Sequence, residues 1–336
     1  MSKTIGILTS GGDSPGMNAA IWAATKAAHS RGMTILGINQ GYQGLITGDM
    51  RPLTPADVAG ILNKGGTVLK TARCLKMKTE EGRAEAIAAA RSHGLEGIVV
   101  VGGDGSYQGA NILAQRGIPT IALPGTIDND LAYTDLTLGF DTSCNSAYEA
   151  ALKVKDTMES HGRVGIVEVM GRYCGDIALQ VALATGADFV LVPEVAYPDT
   201  YNIVALADRL CALKDRGQEG FLIILAEGVG YENPNRALEL RHKLEAELKA
   251  RGRAFGDVRE TVLGYLQRGG QPTLGDINLS VRMASRAVAL LEQGIGNRAV
   301  GIRQNEIFDM DITEALQAPR VFRKELYDLV NQLATA

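Results

Sequence analysis

Short apolar, β-branched runs recur along the whole chain, separated by longer stretches of helical period. TIGILTS, MTILGIN, GIVVVGG, IPTIALP, VGIVEVMG, FVLVPE, GFLIILAEG, TVLGYLQ and AVGIRQ read as strands. Residues 15–31, 79–93, 105–115, 142–160, 201–215, 234–251 and 276–293 read as amphipathic helices. Apolar β-branched runs separated by helices describe parallel sheets covered on both faces. The expectation is an α/β protein of two doubly wound three-layer α/β/α domains with mostly parallel sheets. A chain of 336 residues exceeds one ordinary core, so two domains are the natural division. No repeat or low-complexity linker marks the join. The best break falls near residue 140, where a long helix starts a second βα series, and the chain is free to cross between domains more than once.

Composition narrows the function classes. Hydrophobic residues make up 46% and charged residues 21%, as in an ordinary globular protein. With a formal charge of −4 there is no general attraction to nucleic acid or anionic membrane, so neither is expected as a partner. Cys74, Cys144, Cys174 and Cys211 lack the spacing of a zinc site and fit a reducing compartment. Met1 leads almost directly into a strand, which argues against a signal peptide, and no apolar run approaches the ~20 residues that span a bilayer. A soluble cytoplasmic protein is expected.

The unusual residues collect after the strands, where open α/β sheets bind their ligands. TSGGDSPGMNAA follows the first strand: a glycine turn, then Pro15 as a first helical residue, suited to phosphate yet also readable as a plain tight turn. It is not a Walker loop. VGGDGSYQGA follows the third, with Asp104 able to serve a magnesium ion or simply to cap a helix, and Ser106 at the helix opening. Then comes PGTIDND, whose Asp128 and Asp130 would share a face of an extended chain. Arg172, Glu227 and Arg268 stand at further strand ends, with Arg73, Arg163 and Arg259 as additional cations. The four histidines lie in helices or at their ends, so a serine–histidine triad is not expected. Glycine turns, lone aspartates and arginines together suit phosphoryl transfer to or from a polyanion, worked by magnesium.

TSGGDSPGMNAAI, GGDGSYQGA, PGTIDND, VEVMGRYCGD and LQRGG, in this order, closely resemble the ATP-dependent bacterial 6-phosphofructokinases, from Lys3 to about Ile307, with extra length around 228–256. The resemblance implies phosphorylation of fructose 6-phosphate at its 1-hydroxyl by ATP with Mg²⁺, giving fructose 1,6-bisphosphate and ADP, the committed step of glycolysis. It implies an ATP-binding larger domain of 1–139 plus about 272–320, and a sugar-phosphate-binding smaller domain of 140–271 plus 321–336. Gly12, Tyr42 (near the adenine), Arg73, Cys74, Gly103, Asp104, Gly105 and Ser106 would form the ATP site, with Asp104 holding the metal. Asp128 would be the base, assisted by Thr126, Asp130, Arg172 and Gly12. Thr126, Ile127, Asp128, Met170, Gly171, Arg172, Glu227, Tyr265, Leu266, Gln267 and Arg268 would meet the sugar phosphate. Arg163 and Arg259 would reach it from a neighbouring subunit, which implies a homotetramer. Pyrophosphate users resemble GGDD and carry a lysine before the TIDND threonine; here Gly105 and Gly125 stand there, leaving room for a nucleotide.

Two departures from the family pattern bear on function. Tyr265 replaces the histidine of GHIQRGG; a phenol donates a hydrogen bond but no positive charge, so weaker sugar-phosphate affinity or another ketose phosphate is the alternative. Trp22, Gln218 and Glu219 occupy basic positions of the family's effector pocket, with Lys26 and Lys155 in place of arginines, which implies weak or altered allostery. A non-catalytic sugar-phosphate sensor would be expected to lose Asp104, Asp128 or Arg172, and all three are present.

Overall fold

The computed structural model describes residues 2–253 and 255–334. Met1, Ala254 within the 228–256 and 140–271 stretches, and the last two residues of the 321–336 segment therefore lie outside the described residues, with the expectations placed on them. The chain divides into two compact units: residues 1–142 with 268–320, and residues 143–267 with 321–336.

The first unit is built on a seven-stranded sheet. Its strands are β1 (Thr4–Ser10), β2 (Thr34–Ile38), β3 (Met50–Pro52), β4 (Ile98–Gly102), β5 (Thr120–Pro124), β10 (Arg298–Arg303) and β11 (Glu306–Asp311), in the order β11-β10-β5-β4-β1-β2-β3. All pairings are parallel except those of the edge strands β3 and β11. Alternate side chains leave opposite faces of the sheet. Ile5, Ile7, Val99, Val101, Ile121 and Leu123 pack against α1 (Met17–Ser30) and α9 (Leu274–Glu292). Leu8, Ile98, Val100 and Ala122 pack against α2 (Tyr42–Thr47), α3 (Glu80–Ser92) and α4 (Asp104–Gln115). Both faces are covered, which is why the strands carry no polar alternation.

The second unit repeats the plan on a smaller scale. Its all-parallel sheet runs β7-β8-β6-β9, with β6 at Val164–Val169, β7 at Phe189–Leu191, β8 at Phe221–Ala226 and β9 at Val258–Val262. One face holds α7 (Ile203–Asp215) and α8 (Arg236–Ala250) over Val164, Ile166, Ile223 and Leu225. Against the other lie α5 (Phe140–His161), α6 (Asp176–Thr185) and the C-terminal helix α10 (Lys324–Leu333). Gly165 of β6 lets α5 approach: a Cβ there would come within 2.8 Å of Met158.

Differences from the sequence expectation have local causes. TVLGYLQ is not one strand. β9 ends at Val262, Gly264 turns the chain at φ +51°, and Gly264–Gln267 form a 3₁₀ turn. The helix after TSGGDSPG opens at Met17, not Pro15, because Gly16 at φ +112° still belongs to the turn. α6 escapes a periodicity search because it is buried nearly all round. No helix among the described residues is long and apolar enough to cross a membrane.

Candidate active site

In the first unit, three loops leave adjacent strands at one level. Ser10 of β1 pairs with Gly102 of β4, and Gly102 pairs with Pro124 of β5. With strands about 4.8 Å apart, the GGD turn, the GGDG turn and PGTIDND form a single rim. The loops touch: a Cβ on Gly103 would meet Thr126 Cβ at 3.6 Å, and Ser106 Oγ donates to Ser10 O at 3.1 Å. Thr71 Oγ1 donates to Gly11 O at 2.7 Å, tying the TARC segment to the same rim and leaving Arg73 exposed.

The middle loop opens a helix. α4 begins at Asp104 with Gly103 as its N-cap, so the amides of Asp104 and Gly105 open the helix. Asp104 is exposed, and one carboxylate oxygen accepts from Gln108 Nε2 at 2.8 Å. Nothing lies within 4 Å of a Cβ placed on Gly105, so open space fronts this helix end. Mg²⁺ fits there, since it commonly takes one or two carboxylates together with substrate phosphates. Among the described residues no three His, Cys, Asp or Glu side chains gather as an all-protein metal cage.

PGTIDND is not extended. β5 stops at Pro124 and Asn129 sits at φ +51°, so the rule that alternate residues share a face does not hold for Asp128 and Asp130. Thr126 Oγ1 accepts the Asp128 amide at 3.2 Å, and Thr137 Oγ1 donates to Thr126 O at 2.6 Å. Asp128 is 4% exposed. Thr137 supports this loop from a stretch in which no sequence signal marked it.

In the second unit, β6 runs into the turn Met170–Gly171–Arg172. Gly171 lies at φ +138° and Arg172 at φ +53°, left-handed for a residue with a side chain. Glu227 holds this backbone: its Oε1 accepts from Gly171 N at 3.1 Å and from Arg172 N at 2.6 Å. Gln267 Oε1 accepts from Met170 N at 2.8 Å.

The family described as Phosphofructokinase matches residues 4–291. The chain belongs to the phosphofructokinase family. It is 48% identical over 332 residues to the ATP-dependent 6-phosphofructokinase of Alkaliphilus metalliredigens and 49% identical over 332 residues to that of Clostridioides difficile, covering 99% of each chain in both cases. It also matches a solved structure of phosphofructokinase from Saccharomyces cerevisiae, with TM-score 0.86 and 31% identity, over 99% of this chain and 47% of the yeast chain. The chain thus spans about half the length of that yeast chain.

The other residues read as ligand contacts have the following surroundings. Tyr42 is 4% exposed; its hydroxyl donates to Ser106 O at 2.6 Å and its ring fills the space beside Gly109. Burial holds this phenol protonated far above its usual range. It braces the GGDG turn from within the core. Ile127 has no exposed surface. Gln267 is equally buried, its amide engaged by Met170 N and by Ser143 Oγ at 3.2 Å. A Cβ on Gly125 would meet Val101 Cγ1 at 2.8 Å, so this glycine answers to packing on β4, and the open space is at Gly105. Arg268 belongs to the first unit: Nη1 donates to Asp13 O at 3.1 Å, beside Gly12. Cys74 is half-buried with Sγ 3.6 Å from Gln43 Oε1, and Tyr265 and Leu266 are largely exposed.

Arg163 and Arg259 lie at the start of β6 and β9, whereas Met170–Arg172 follow the end of β6. Both face Asp257, at 3.8 Å and 2.6 Å. The length of β6, about 20 Å for six residues, separates the two groups within this unit. Of the effector-pocket positions, Gln218 Nε2 donates to Asp188 Oδ1 and to Gly220 O, both at 2.8 Å, and Lys155 donates to Thr185 O at 2.9 Å. Trp22 has Lys26 Nζ 5.9 Å from its ring centroid. The spacing Gly12-Asp13-Ser14-Pro15-Gly16 also fits a nucleophile elbow, but Ser14 is wholly buried and not presented to a substrate.

Proposed function

We propose that the chain is an ATP-dependent 6-phosphofructokinase that phosphorylates the 1-hydroxyl of fructose 6-phosphate. The observation that bears most weight is the common rim of the three loops, which gathers a helix N-terminus, an exposed Asp104 and a buried Asp128 on adjacent strands. The first unit is then the ATP-binding domain and the second the sugar-phosphate domain.

The amides opening α4, with Gly12 and Arg73, receive the nucleotide phosphates, and the open space at Gly105 admits more than a bare diphosphate. Asp104 would hold Mg²⁺, which when bound neutralises charge on the phosphates. A primary alcohol is a poor nucleophile, so a carboxylate within hydrogen-bond reach must accept its proton as the new bond forms. Asp128 is that base. Thr126, whose hydroxyl accepts the Asp128 amide, keeps the loop in shape, and Asp130 supplies a supporting charge. In the second unit Arg172 and Met170 recognise the sugar, with Glu227 fixing the turn that presents them. Arg163 and Arg259, at the other end of the sheet, serve the 6-phosphate of a neighbouring copy in a homotetramer. Gln218, engaged with Asp188, and the acid of Glu219 leave the effector pocket poor in cations, so regulation by phosphorylated effectors is weak.

The test is formation of the doubly phosphorylated sugar measured across several sugar phosphates, with ATP and pyrophosphate compared as donors. Fructose 6-phosphate with ATP should give the highest kcat/KM. Preference for another ketose phosphate, or for pyrophosphate, would overturn the assignment.

A further inference from the structure

We infer that Tyr231 and Arg236 are positioning residues for the Met170–Arg172 turn, and through it for recognition of the acceptor. A cavity of about 400 Å³, lined by Val192, Pro193, Tyr197, Asp199, Gly228 and Gly230, lies against the loop that follows Glu227. Arg236, the first residue of α8 and 9% exposed, adds a link from this loop to the sheet. Its Nη1 donates to Glu168 Oε1 at 2.6 Å and its Nη2 to Tyr231 O at 3.2 Å, while its guanidinium carbon stands 5.9 Å from the Tyr231 ring centroid. Glu168 is itself 5% exposed, two residues before Met170 on β6. One buried arginine therefore ties the end of β6 to the loop after β8.

Tyr231 passes this restraint on to the turn. Its ring centroid is 4.5 Å from that of Tyr173, with the planes inclined at 46°. Tyr173 directly follows Arg172, whose left-handed backbone is costly and persists only where its surroundings over-determine it. The preceding Gly171, at φ +138°, has to be glycine, because a Cβ there would come within 2.4 Å of Cys174 O. Glu227 and Gln267 hold the turn by hydrogen bonds to its amides, and the Tyr173–Tyr231 contact holds it from the side. Both rings keep exposed surface, so neither stays in place by burial alone.

The brace itself is read without any substrate. Amide hydrogen exchange over residues 169–174 should accelerate in Tyr231→Ala and stay at the parent rate in Tyr231→Phe, which keeps the ring and the backbone carbonyl. Tyr231→Leu, which retains bulk, replaces the alanine variant should that one fail to fold. Unchanged exchange in Tyr231→Ala, or equal acceleration in Tyr231→Phe, overturns the inference. The effect on the acceptor rests on the function proposed above, and KM is read with whichever sugar phosphate the parent enzyme uses. It should rise roughly three- to tenfold in Tyr231→Ala, the range such an aromatic pair is worth. KM for the phosphoryl donor and kcat should stay within about twofold. A rise shared equally by both substrates would mean general loosening and would also overturn the proposal.

Discussion

Asp128 and Asp130 stand two apart in PGTIDND yet meet different surroundings. Asp128 is nearly buried, with its amide on Thr126 Oγ1, whereas Asp130 is half-buried beyond the left-handed Asn129. Replacing each by serine should separate them. Asp128→Ser should lower kcat by about 10²- to 10⁴-fold, the usual contribution of a general base, and Asp130→Ser by about tenfold or less. Equal losses in steady-state kinetics would refute the division of roles. At this scale the types of residue were legible in the sequence, because two acids behind a glycine and a threonine are hard to explain by packing. Their orientation was not, since it depends on one backbone angle at Asn129. Tyr42 shows the same limit: an aromatic in a QGYQGL turn gives no sign of whether its hydroxyl meets a ligand or Ser106 O.

Strands buried on both faces announce themselves, and nine were expected from their apolar runs. The edge strands β3 and β11 and the all-round buried α6 lack such a pattern and emerge only from pairing and packing. α9 also carries a buried link that no periodicity reveals. Asp276, in its first turn, accepts from Gly139 N and Thr142 N at 2.8 Å and from Thr142 Oγ1 at 2.5 Å, holding the start of α5. Burial outweighs these hydrogen bonds and pushes the Asp276 carboxyl up to about 6 from its usual 3.8. The folded chain therefore holds this proton more tightly than the unfolded chain. The contribution is fully present below pH 3.8 and is lost as pH rises through about 6. The stability margin of the parent over Asp276→Asn should shrink by about 2–3 kcal/mol between pH 4 and 7, followed by denaturant unfolding. A margin independent of pH would show that this carboxyl titrates normally.

The polypeptide crosses between its two units at 142/143, 267/268 and 320/321. In the second unit one sheet bears Arg172 after one end and Arg259 near the other, so a site needing both kinds of arginine calls for a second copy. Asp128→Ser and Arg259→Ala subunits, each nearly inactive alone, should regain activity when unfolded and reassembled together, up to roughly a quarter of the parent for a two-fold arrangement. No recovery in the mixture would argue against shared sites. Sequence alone carried the layered α/β architecture, the family and the motifs at the strand ends, because burial of a strand on both faces and close backbone approach to a ligand leave local marks in residue type. The tertiary structure decided which marked residues face open space and which are braces. Gly125, Tyr42, Ile127 and Gln267 proved to be packed or fully engaged, while Gly105 fronts open space and Arg236 came into view from outside every motif. The reason is physical: a residue's type limits the contacts it can make, but only the neighbours brought in by distant parts of the chain determine which of them it makes.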